Sequence, residues 1–191
     1  MAQALEDEVR PVRGAKLWPI TVEAYHILGD AGAIPENTEL LYGLVYKKTP
    51  KSPLHSFLVR RLFELLQKLN LPGFFVRSEQ PLTFADSEPE PDIAIVEGAN
   101  ENYRSEHPKT ARLVMEVCVS SLEYDRSKLR AYAAADVKEC WLIMADEKQI
   151  EVHSGPSHGK FVKTQRFGLD DKATSEALSS LAIDLDELFG K

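Results

Sequence analysis

The sequence ARLVMEVCVSSLEYDRSKLRAYAAADVKECWLIMA, residues 111–145, decides the fold class. Residues 111–119 form an apolar run of the length of an interior strand, residues 122–135 have helical composition, and residues 139–145 are again an apolar run. A helix that links two such strands is typical of an α/β unit. We therefore predict an α/β fold built around a central β-sheet.

Segments before and after this unit extend the predicted sheet. Residues 39–50 are rich in β-forming residues around Gly43, which indicates a strand pair or a bulged strand. Residues 148–167 alternate around Gly155 and Pro156, which predicts an additional β-hairpin with its turn at that pair. Three short β-type runs lie between these regions: FFVRS (74–78), QPLTF (80–84) and DIAIVEG (92–98).

Three further segments are predicted to be helical. Residues 53–70 keep apolar residues at helical spacing, and this is the clearest helical pattern in the chain. Thr21 can cap a short helix within residues 21–32. Asp184 stands three residues before Glu187, which is typical of the start of a short terminal helix.

The bulk composition is that of an ordinary globular protein. The chain has 191 residues, of which 43% are hydrophobic and 28% charged. We predict a flexible N-terminal arm over residues 1–20 and a single domain over residues 21–191, because only the second range shows apolar periodicity. No run approaches the roughly 20 apolar residues of a membrane helix, and the N-terminus lacks an apolar signal segment. We therefore expect a cytoplasmic protein without membrane contact, whose two cysteines, Cys118 and Cys140, are thiols.

Two acidic residues stand out in the predicted strands. Strand alternation places Asp92 and Glu116 on matching faces of their two strands, each among apolar neighbours. An ionised carboxylate removed from water is costly unless a cation or several donors meet it, so we expect a positive group near Glu116. Glu88 and Glu90, which precede the first of these strands, are predicted to be solvated.

The helix after Glu116 offers that positive group. Asp125, Lys128 and Tyr132 share one face of the helix, so Lys128 can point back toward Glu116. The predicted packing face of the helix consists of Leu122, Leu129 and Ala133. Two carboxylates with a lysine within reach suit a hard divalent cation and a nuclease-type reaction. A purely structural ion pair fits the same pattern, and spacing alone does not decide between the two.

The order of these motifs resembles the Uma-two family of restriction-endonuclease-like proteins, in the PD-(D/E)XK nuclease superfamily. The resemblance rests on PDIAIV (91–96), LVMEVCVSS (113–121), YDRSKLRAYAAADVKECWLI (124–143) and IEVH (150–153). TELLYGLVYKKTPKSPLHSFLVRRLFELL (38–66) resembles the family's Glu-x-x-x-Gly strand region with the His that opens a helix, and LAIDLDELF (181–189) resembles its ending. The resemblance covers nearly all of residues 21 to 189.

The resemblance implies a restriction-endonuclease-like core, with a central mixed β-sheet flanked by helices. It assigns Pro91 and Asp92 to the family's Pro-Asp dyad and Glu116 to its second acid. It thereby implies that Asp92 and Glu116 bind Mg²⁺ or Mn²⁺.

Three positions depart from the pattern of the superfamily or the family. Cys118 occupies the usual lysine position, and a cysteine supplies no permanent positive charge, so the resemblance implies that Lys128 takes that role. Val119 stands where family members commonly have Ser, which weakens the site slightly. Asp136 replaces a Gly before Val137, which we interpret as a change at the end of the helix.

The resemblance also suggests supporting residues. Glu39 matches the family's N-terminal acid, and it either completes the metal shell or is a surface residue. Asp125 and Tyr132 are expected to orient Lys128. His55 corresponds to the family's His, for which contact with substrate and a local hydrogen bond are the two alternatives.

These implications point to a metal-dependent endonuclease that hydrolyses phosphodiester bonds in DNA, with Asp92, Glu116 and Lys128 as catalytic residues. A cut through both strands needs two sites, so we predict a homodimer. The alternative is a non-catalytic nuclease-fold module for binding or assembly, which the net charge of −7 and the cysteine at the lysine position both favour. Three basic clusters could contact phosphates: Lys47, Lys48 and Lys51, then Arg60, Arg61 and Lys68, then Arg126 and Arg130. A solvated helix face explains most of these basic residues equally well.

Several other function classes lack their required motifs. The sequence has no Walker loop, no dinucleotide-binding glycine pattern and no G-x-S-x-G elbow. The histidines and cysteines lack the paired spacing of a zinc site, and His153 and His158, on either side of the predicted hairpin turn, are expected to face solvent. The sequence therefore does not favour a kinase, a dehydrogenase, a hydrolase with a G-x-S-x-G elbow or a zinc protein.

Overall fold

The computed structural model describes residues 16–190, and all structural statements below refer to that range. Its helices are α1 (Val22–Asp30), α2 (Pro53–Gln67), α3 (Leu122–Ala134) and α4 (Leu185–Phe189), with a 3-10 turn at Asn100–Tyr103. Its strands are β1 (Thr38–Leu41), β2 (Leu44–Lys47), β3 (Phe74–Ser78), β4 (Ile93–Glu97), β5 (Leu113–Cys118), β6 (Glu139–Met144), β7 (Gln149–Ser157), β8 (Lys160–Phe167), β9 (Lys172–Thr174) and β10 (Ala182–Asp184).

A six-stranded mixed sheet organises the chain. Its strand order is β3-β4-β5-β6-β7-β8, and only β5 and β6 pair in parallel. Helix α3 connects these two strands, since parallel neighbours need a crossover. The β1–β2 and β9–β10 pairs form two small separate sheets. The predicted α/β unit is therefore present and lies at the centre of the sheet.

Apolar side chains pack on both faces of this sheet. On one face, residues such as Ile95, Met115 and Trp141 pack with the buried leucines of α2 and α4. On the opposite face, Val114 and Cys140 belong to the cluster that includes the buried residues of α3. Every residue of β5 and β6 is buried, as expected for interior strands covered on both faces.

The β1–β2 hairpin is attached to α3 through its turn. Tyr42 and Gly43 both have positive φ, of 56° and 74°, which is the backbone geometry of a tight two-residue hairpin. A Cβ added at Gly43 would lie 2.4 Å from Cβ of Pro19, so only glycine fits this position. The Tyr42 hydroxyl donates to the Ser127 carbonyl oxygen and accepts from the Ala131 N–H at 3.1 Å. The hairpin is thus held against α3, and β1 with it.

Two local expectations were wrong. Residues 80–84 do not form a strand, because this proline-containing segment bonds to its own loop, with Leu82 N–H donating to the Pro89 carbonyl at 2.9 Å. The turn of the β7–β8 hairpin lies at His158 and Gly159, whose φ values are 49° and 71°, and not at Gly155–Pro156. Proline cannot adopt the positive φ that such a turn requires, so Pro156 remains inside β7.

Most of the proposed N-terminal arm, residues 1–15, lies outside the described residues, so the arm and the single domain over residues 21–191 stay predictions. In the part of the arm that is described, Ile20 N–H donates to the Gly43 carbonyl at 3.0 Å. None of the helices within residues 16–190 combines the length and apolar character needed to cross a membrane.

Asp136 supplies a test of the fold at the end of α3. Its φ of 60° is left-handed, a conformation in which glycine avoids the steric cost of a Cβ. We expect Asp136→Gly to raise the free energy of unfolding by about 0.5–1 kcal/mol and Asp136→Ala to lower it by about 1 kcal/mol. Urea denaturation of the three proteins measures both changes. A glycine variant less stable than the parent would contradict this interpretation of the helix end.

Candidate active site

The two strand carboxylates lie on the sheet face that α3 covers. Asp92 immediately precedes β4 and Glu116 lies within β5, and their alternate neighbours belong to the apolar cluster on the α3 side. Asp92 is 8% exposed and Glu116 is 2% exposed, so both carboxylates are almost removed from water. The shared face predicted from strand alternation is therefore observed.

Asp92 is fixed by donors from two different elements. Its Oδ2 accepts from the Val117 N–H at 2.8 Å and lies 3.1 Å from Nε2 of His55, at the start of α2. Its own N–H points to Oε2 of Glu116 at 3.4 Å, and the preceding Pro91 is also buried. Asp92 Oδ1 has no hydrogen-bond partner among residues 16–190. One oxygen of Asp92 is thus held in place while the other remains available.

Lys128 stands between three carboxylates. Its Nζ lies 3.1 Å from Glu39 Oε1, 3.3 Å from Glu116 Oε1 and 3.7 Å from Asp125 Oδ1. The side chain is only 5% exposed. The predicted approach of Lys128 to Glu116 is present, so an ammonium group from α3 reaches the acid although β5 itself carries no lysine and has Cys118 two residues further on.

Glu39 of β1 is a buried member of the site and not a surface residue. Its Oε1 accepts from the Tyr124 hydroxyl at 2.6 Å, and its Oε2 accepts from the Glu90 N–H at 3.1 Å. Tyr124, on α3, also places its ring centroid 5.1 Å from Lys128 Nζ. The sequence analysis did not single out Tyr124. Helical spacing offered a signal for it, because Tyr124 lies four residues before Lys128 and residues four apart on a helix lie on the same side.

Asp125 and Tyr132 support the cluster from within α3. Asp125 accepts from the Ser121 hydroxyl at 2.6 Å, and the fully buried Tyr132 donates its hydroxyl to Glu116 Oε1. Leu122, Leu129 and Ala133 do pack inward as expected, with the two leucines against the apolar cluster, but they are not the most buried face of this helix. Leu122 and Leu129 are only half-buried, whereas the polar face carrying Asp125, Lys128 and Tyr132 is buried against the sheet, because the acids and the lysine satisfy one another there.

The electrostatics follow from burying several acids around one ammonium group. Burial raises the pKa of Glu116 to about 8, although Lys128 acts to lower it. Burial also raises the pKa of Asp125, again with Lys128 opposing the shift. The pKa of Lys128 lies well above its ordinary value, because attraction by Glu116, Glu39 and Asp125 outweighs the effect of burial. Lys128 is therefore charged at neutral pH, and the site carries more acid than base.

This donor set fits an open Mg²⁺-type site. Within residues 16–190 no three His, Cys, Asp or Glu side chains are arranged to enclose a metal ion. Mg²⁺ does not need such an enclosure, because it is commonly bound by one or two carboxylates while water and phosphate complete its shell. Asp92 and Glu116 place two carboxylates in a cleft that Lys48, Lys51, His55 and Tyr124 also line. A surplus of buried acid is itself a reason to attract a cation.

Two acids predicted to be solvated are not. Glu88 is 7% exposed, its Oε1 lies 2.7 Å from His26 Nε2, and its Oε2 accepts from the Thr83 hydroxyl. Glu90 is partly buried and pairs with Lys48 at 2.9 Å. Both corrections have the same cause, since each acid has a partner in a distant segment that the local sequence does not show, His26 for Glu88 and Lys48 for Glu90.

The histidine predicted to face solvent on β7 is also buried. His153 Nε2 lies 2.7 Å from Glu151 Oε1, and its Nδ1 lies 3.1 Å from the Thr164 hydroxyl. Glu151 Oε2 accepts from Arg126 of α3 and from Arg166 of β8. This network ties α3 to the β7–β8 hairpin and so helps to fix the helix that carries Lys128.

Comparisons with known proteins agree with this architecture. The family model Uma2, described as "Putative restriction endonuclease", matches residues 22–186. A search among curated proteins finds no match. One solved structure, described as "a putative nuclease belonging to DUF820" from Anabaena variabilis, aligns with a TM-score of 0.70 at 20% sequence identity, over 90% of this chain and 98% of that one. At that identity the structural likeness bears on the fold, and it confirms the predicted nuclease-like α/β class.

The pKa of Glu116 leads to a pH-dependent difference in stability. The native pKa of about 8 exceeds the ordinary value of 4.5, so between these pH values the native state holds a proton that the unfolded chain has lost. The free energy of unfolding should therefore fall as the pH rises through this window. Glutamine does not titrate, so the stability of Glu116→Gln should not fall in this way. We expect the free energy of unfolding of Glu116→Gln, relative to that of the parent, to rise by at least about 1 kcal/mol from pH 5 to pH 8.

Urea denaturation at several pH values measures this difference. Glu101→Gln, at an exposed residue outside the cleft, is the matched control and should track the parent. A Glu116→Gln variant whose stability runs parallel to the parent across the window would contradict the raised pKa.

Proposed function

The chain belongs to the Uma2 family, and on that premise we propose that it is a divalent-metal-dependent nuclease that hydrolyses phosphodiester bonds in DNA. The observation that best supports this proposal is the convergence of Asp92, Glu116 and Lys128 in one cleft, with a free oxygen on Asp92. Hydrolysis of a phosphodiester requires positive charge near the oxygens that become more negative, and it requires a positioned nucleophile. This cleft offers residues suited to both requirements.

Asp92 and Glu116 are the proposed ligands of the metal. A bound Mg²⁺ or Mn²⁺ ion would neutralise charge on the scissile phosphate and acidify the attacking water. The Val117 N–H and His55 hold one oxygen of Asp92, and Asp92 lines the cleft. The Tyr132 hydroxyl donates to Glu116 Oε1 and so fixes the orientation of that carboxylate.

Lys128 is proposed to act as a permanent cation and not as a base. Its raised pKa keeps the ammonium protonated, so it can donate hydrogen bonds to a water molecule or to a phosphate oxygen. Glu39 fixes the direction of the ammonium, and Tyr124 in turn holds Glu39. Attack on phosphorus in line with the leaving oxygen would complete the reaction.

One observation favours the alternative of a non-catalytic module. Within residues 16–190 the carboxylates do not form a complete metal cage, and Lys128 already lies near three of them. Such a cluster can stabilise a fold without turning over a substrate, as buried ion-pair networks do in other proteins. Metal binding and hydrolysis therefore need separate tests.

Metal binding can be tested through thermal stability. A ligand that binds only the native state adds RT ln(1 + [L]/Kd), about 2.7 kcal/mol at a hundredfold excess over Kd. For a chain of this size we expect Mg²⁺ or Mn²⁺ to raise Tm by roughly 5–10 °C at that excess. The shift should disappear in Asp92→Asn and persist in Glu101→Gln. An unchanged Tm at millimolar metal would favour the non-catalytic module.

Catalysis can be tested by the conversion of supercoiled plasmid to its nicked form. We expect Mg²⁺- or Mn²⁺-dependent nicking that falls by about 10²–10³-fold in Glu116→Gln and in Lys128→Ala, which is the usual effect of removing one group that stabilises the transition state. Near-UV circular dichroism confirms that each variant is folded. Equal nicking by all three proteins would indicate a contaminating nuclease and contradict the proposal.

The predicted homodimer is part of the same proposal. A single site nicks one strand, whereas a double-strand break requires two sites in suitable relation. Equilibrium sedimentation gives the assembly state independently of activity.

A further inference from the structure

We infer that a second hollow of the protein binds a phosphate group, with His107 as a direct hydrogen-bond donor and Arg77 as the buried positive charge behind it. The residues that line this hollow include Tyr103, Arg104, Glu106, His107 and Lys109, and none of them lines the cleft around Asp92. Two observations carry the inference: a buried arginine without an acidic partner, and a histidine whose outward nitrogen is fixed as a donor.

Arg77 is a buried cation that lacks a carboxylate partner among residues 16–190. It lies on the edge strand β3 opposite Ala94 and is only 4% exposed. Its Nη2 reaches the Pro81 carbonyl at 3.4 Å and His107 Nδ1 at 3.3 Å, while its buried Nε has no hydrogen-bond partner in the described part of the chain. The ring of Tyr103, with its centroid 5.7 Å from the guanidinium carbon, offsets part of the charge. A buried charge without an opposite one is costly, so an anion close to Arg77 would be stabilising.

The contact with Arg77 also sets the proton position on the His107 ring. A guanidinium group has only donors, so Nδ1 of His107 is the acceptor in their contact. The neutral ring therefore carries its proton on Nε2. Burial lowers the pKa of His107, and Arg77 acts in the same direction while Glu88 opposes it. Because Nδ1 faces the buried guanidinium and His107 is exposed, its Nε2–H is a donor available to an oxyanion in the hollow.

Basic side chains outnumber acidic ones around the hollow. Arg104 and Lys109 are both exposed and line it, and Arg77 lies directly behind His107. One nearby acid, Glu106, pairs with Lys109 at 3.0 Å, and this exposed pair can open at little cost. The other, Glu88, is buried and already accepts from the partners described above. An anion in the hollow therefore meets more positive than negative charge.

A phosphate group fits this donor set better than a carboxylate does. It offers three or more strong acceptor oxygens, which can accept from a histidine N–H, an arginine and a lysine at the same time. A carboxylate has only two oxygens for the same donors. The hollow thus supplies charge and donors for one phosphate.

This phosphate can come from a DNA strand or from a free phosphomonoester. Glu88 is bonded to two residues that line the hollow, whereas Glu90 and Asp92 line the cleft. At about 3.3–3.6 Å per residue, the chain from Glu88 to Asp92 spans at most roughly 14 Å, which is the length of about four nucleotides of one strand. A DNA strand in the cleft is therefore long enough to place a second phosphate in the hollow.

Nuclear magnetic resonance of the histidine rings tests phosphate binding in the metal-free protein. Inorganic phosphate, titrated at constant pH and ionic strength, should shift the His107 ring signals in a saturable way and leave those of the exposed His158 unchanged. Before phosphate is added, the ¹⁵N shifts should show a neutral His107 protonated on Nε2. Arg77→Met should weaken the apparent affinity at least about tenfold, as expected for loss of a charged partner. Arg60→Met, at an exposed arginine of α2, is the matched control and should keep the parent's affinity.

A variant at the surface keeps the test independent of folding. Arg104 is exposed, so Arg104→Gln should leave the fold intact and weaken phosphate binding severalfold. Absence of a saturable shift at His107 in millimolar phosphate would overturn the inference. Equal phosphate affinity in the parent and in both arginine variants would also overturn it. Failure of metal-dependent hydrolysis would bear on the proposed function alone, because this titration contains no metal.

Fluorescence anisotropy with a labelled DNA strand, in Ca²⁺ instead of Mg²⁺, distinguishes the two sources of phosphate. If the strand supplies it, Arg104→Gln should weaken DNA binding severalfold and reduce its salt dependence by about one counterion. If DNA affinity is unchanged while Arg104→Gln still weakens the binding of inorganic phosphate, the ligand is a free phosphomonoester. Arg60→Met again serves as the matched control.

Discussion

The ammonium group of Lys128 is the point on which the site depends. It lies within 3.1–3.7 Å of carboxylate oxygens from β1, β5 and its own helix, and it is almost completely buried. Without that cation the nearby acids would be uncompensated in a region of low dielectric, which is strongly destabilising. The β1–β2 hairpin, the central sheet and α3 therefore meet at one electrostatic contact.

Neighbouring contacts hold this arrangement in register. The Tyr42 hydroxyl joins the hairpin turn to α3, and Glu151 joins the same helix to β7 and β8 through Arg126. Because both sides of α3 are tied down, its polar face can be buried while its leucines remain half-buried. In the proposed function, the surplus of acid beside Asp92 would attract the metal ion, and the fixed ammonium of Lys128 would face the phosphate.

The parts of this site that could be predicted from sequence depend on local periodicity. Strand alternation placed Asp92 and Glu116 on one face, and the strand–helix–strand unit placed Lys128 over them. The β7–β8 hairpin was also visible as a pattern, although its turn was assigned to Gly155–Pro156 when the positive φ values lie at His158 and Gly159. Periodicity gives the face and the order of elements, and it is less informative about the residue at which a turn closes.

The remaining features depend on partners far apart in the chain. Glu39 and Tyr124 are 85 positions apart and Glu88 and His26 are 62 apart, so no local pattern shows that these acids are buried. The Thr164 hydroxyl reaches His153 only when β7 pairs with β8, whereas the partner Glu151 lies two residues earlier on the same strand and was overlooked. The resemblance to a family supplied Glu39 as a candidate, whereas Tyr124 emerged only from the packed structure.

Anomalous X-ray scattering from crystals grown with Mn²⁺ locates a metal ion held by the two acids. We predict a single strong peak at roughly 2.0–2.3 Å from oxygens of both Asp92 and Glu116, with Lys128 Nζ still in contact with Glu116. A cleft without a peak at saturating Mn²⁺, or a peak bound by other residues, would show that these acids serve the fold alone.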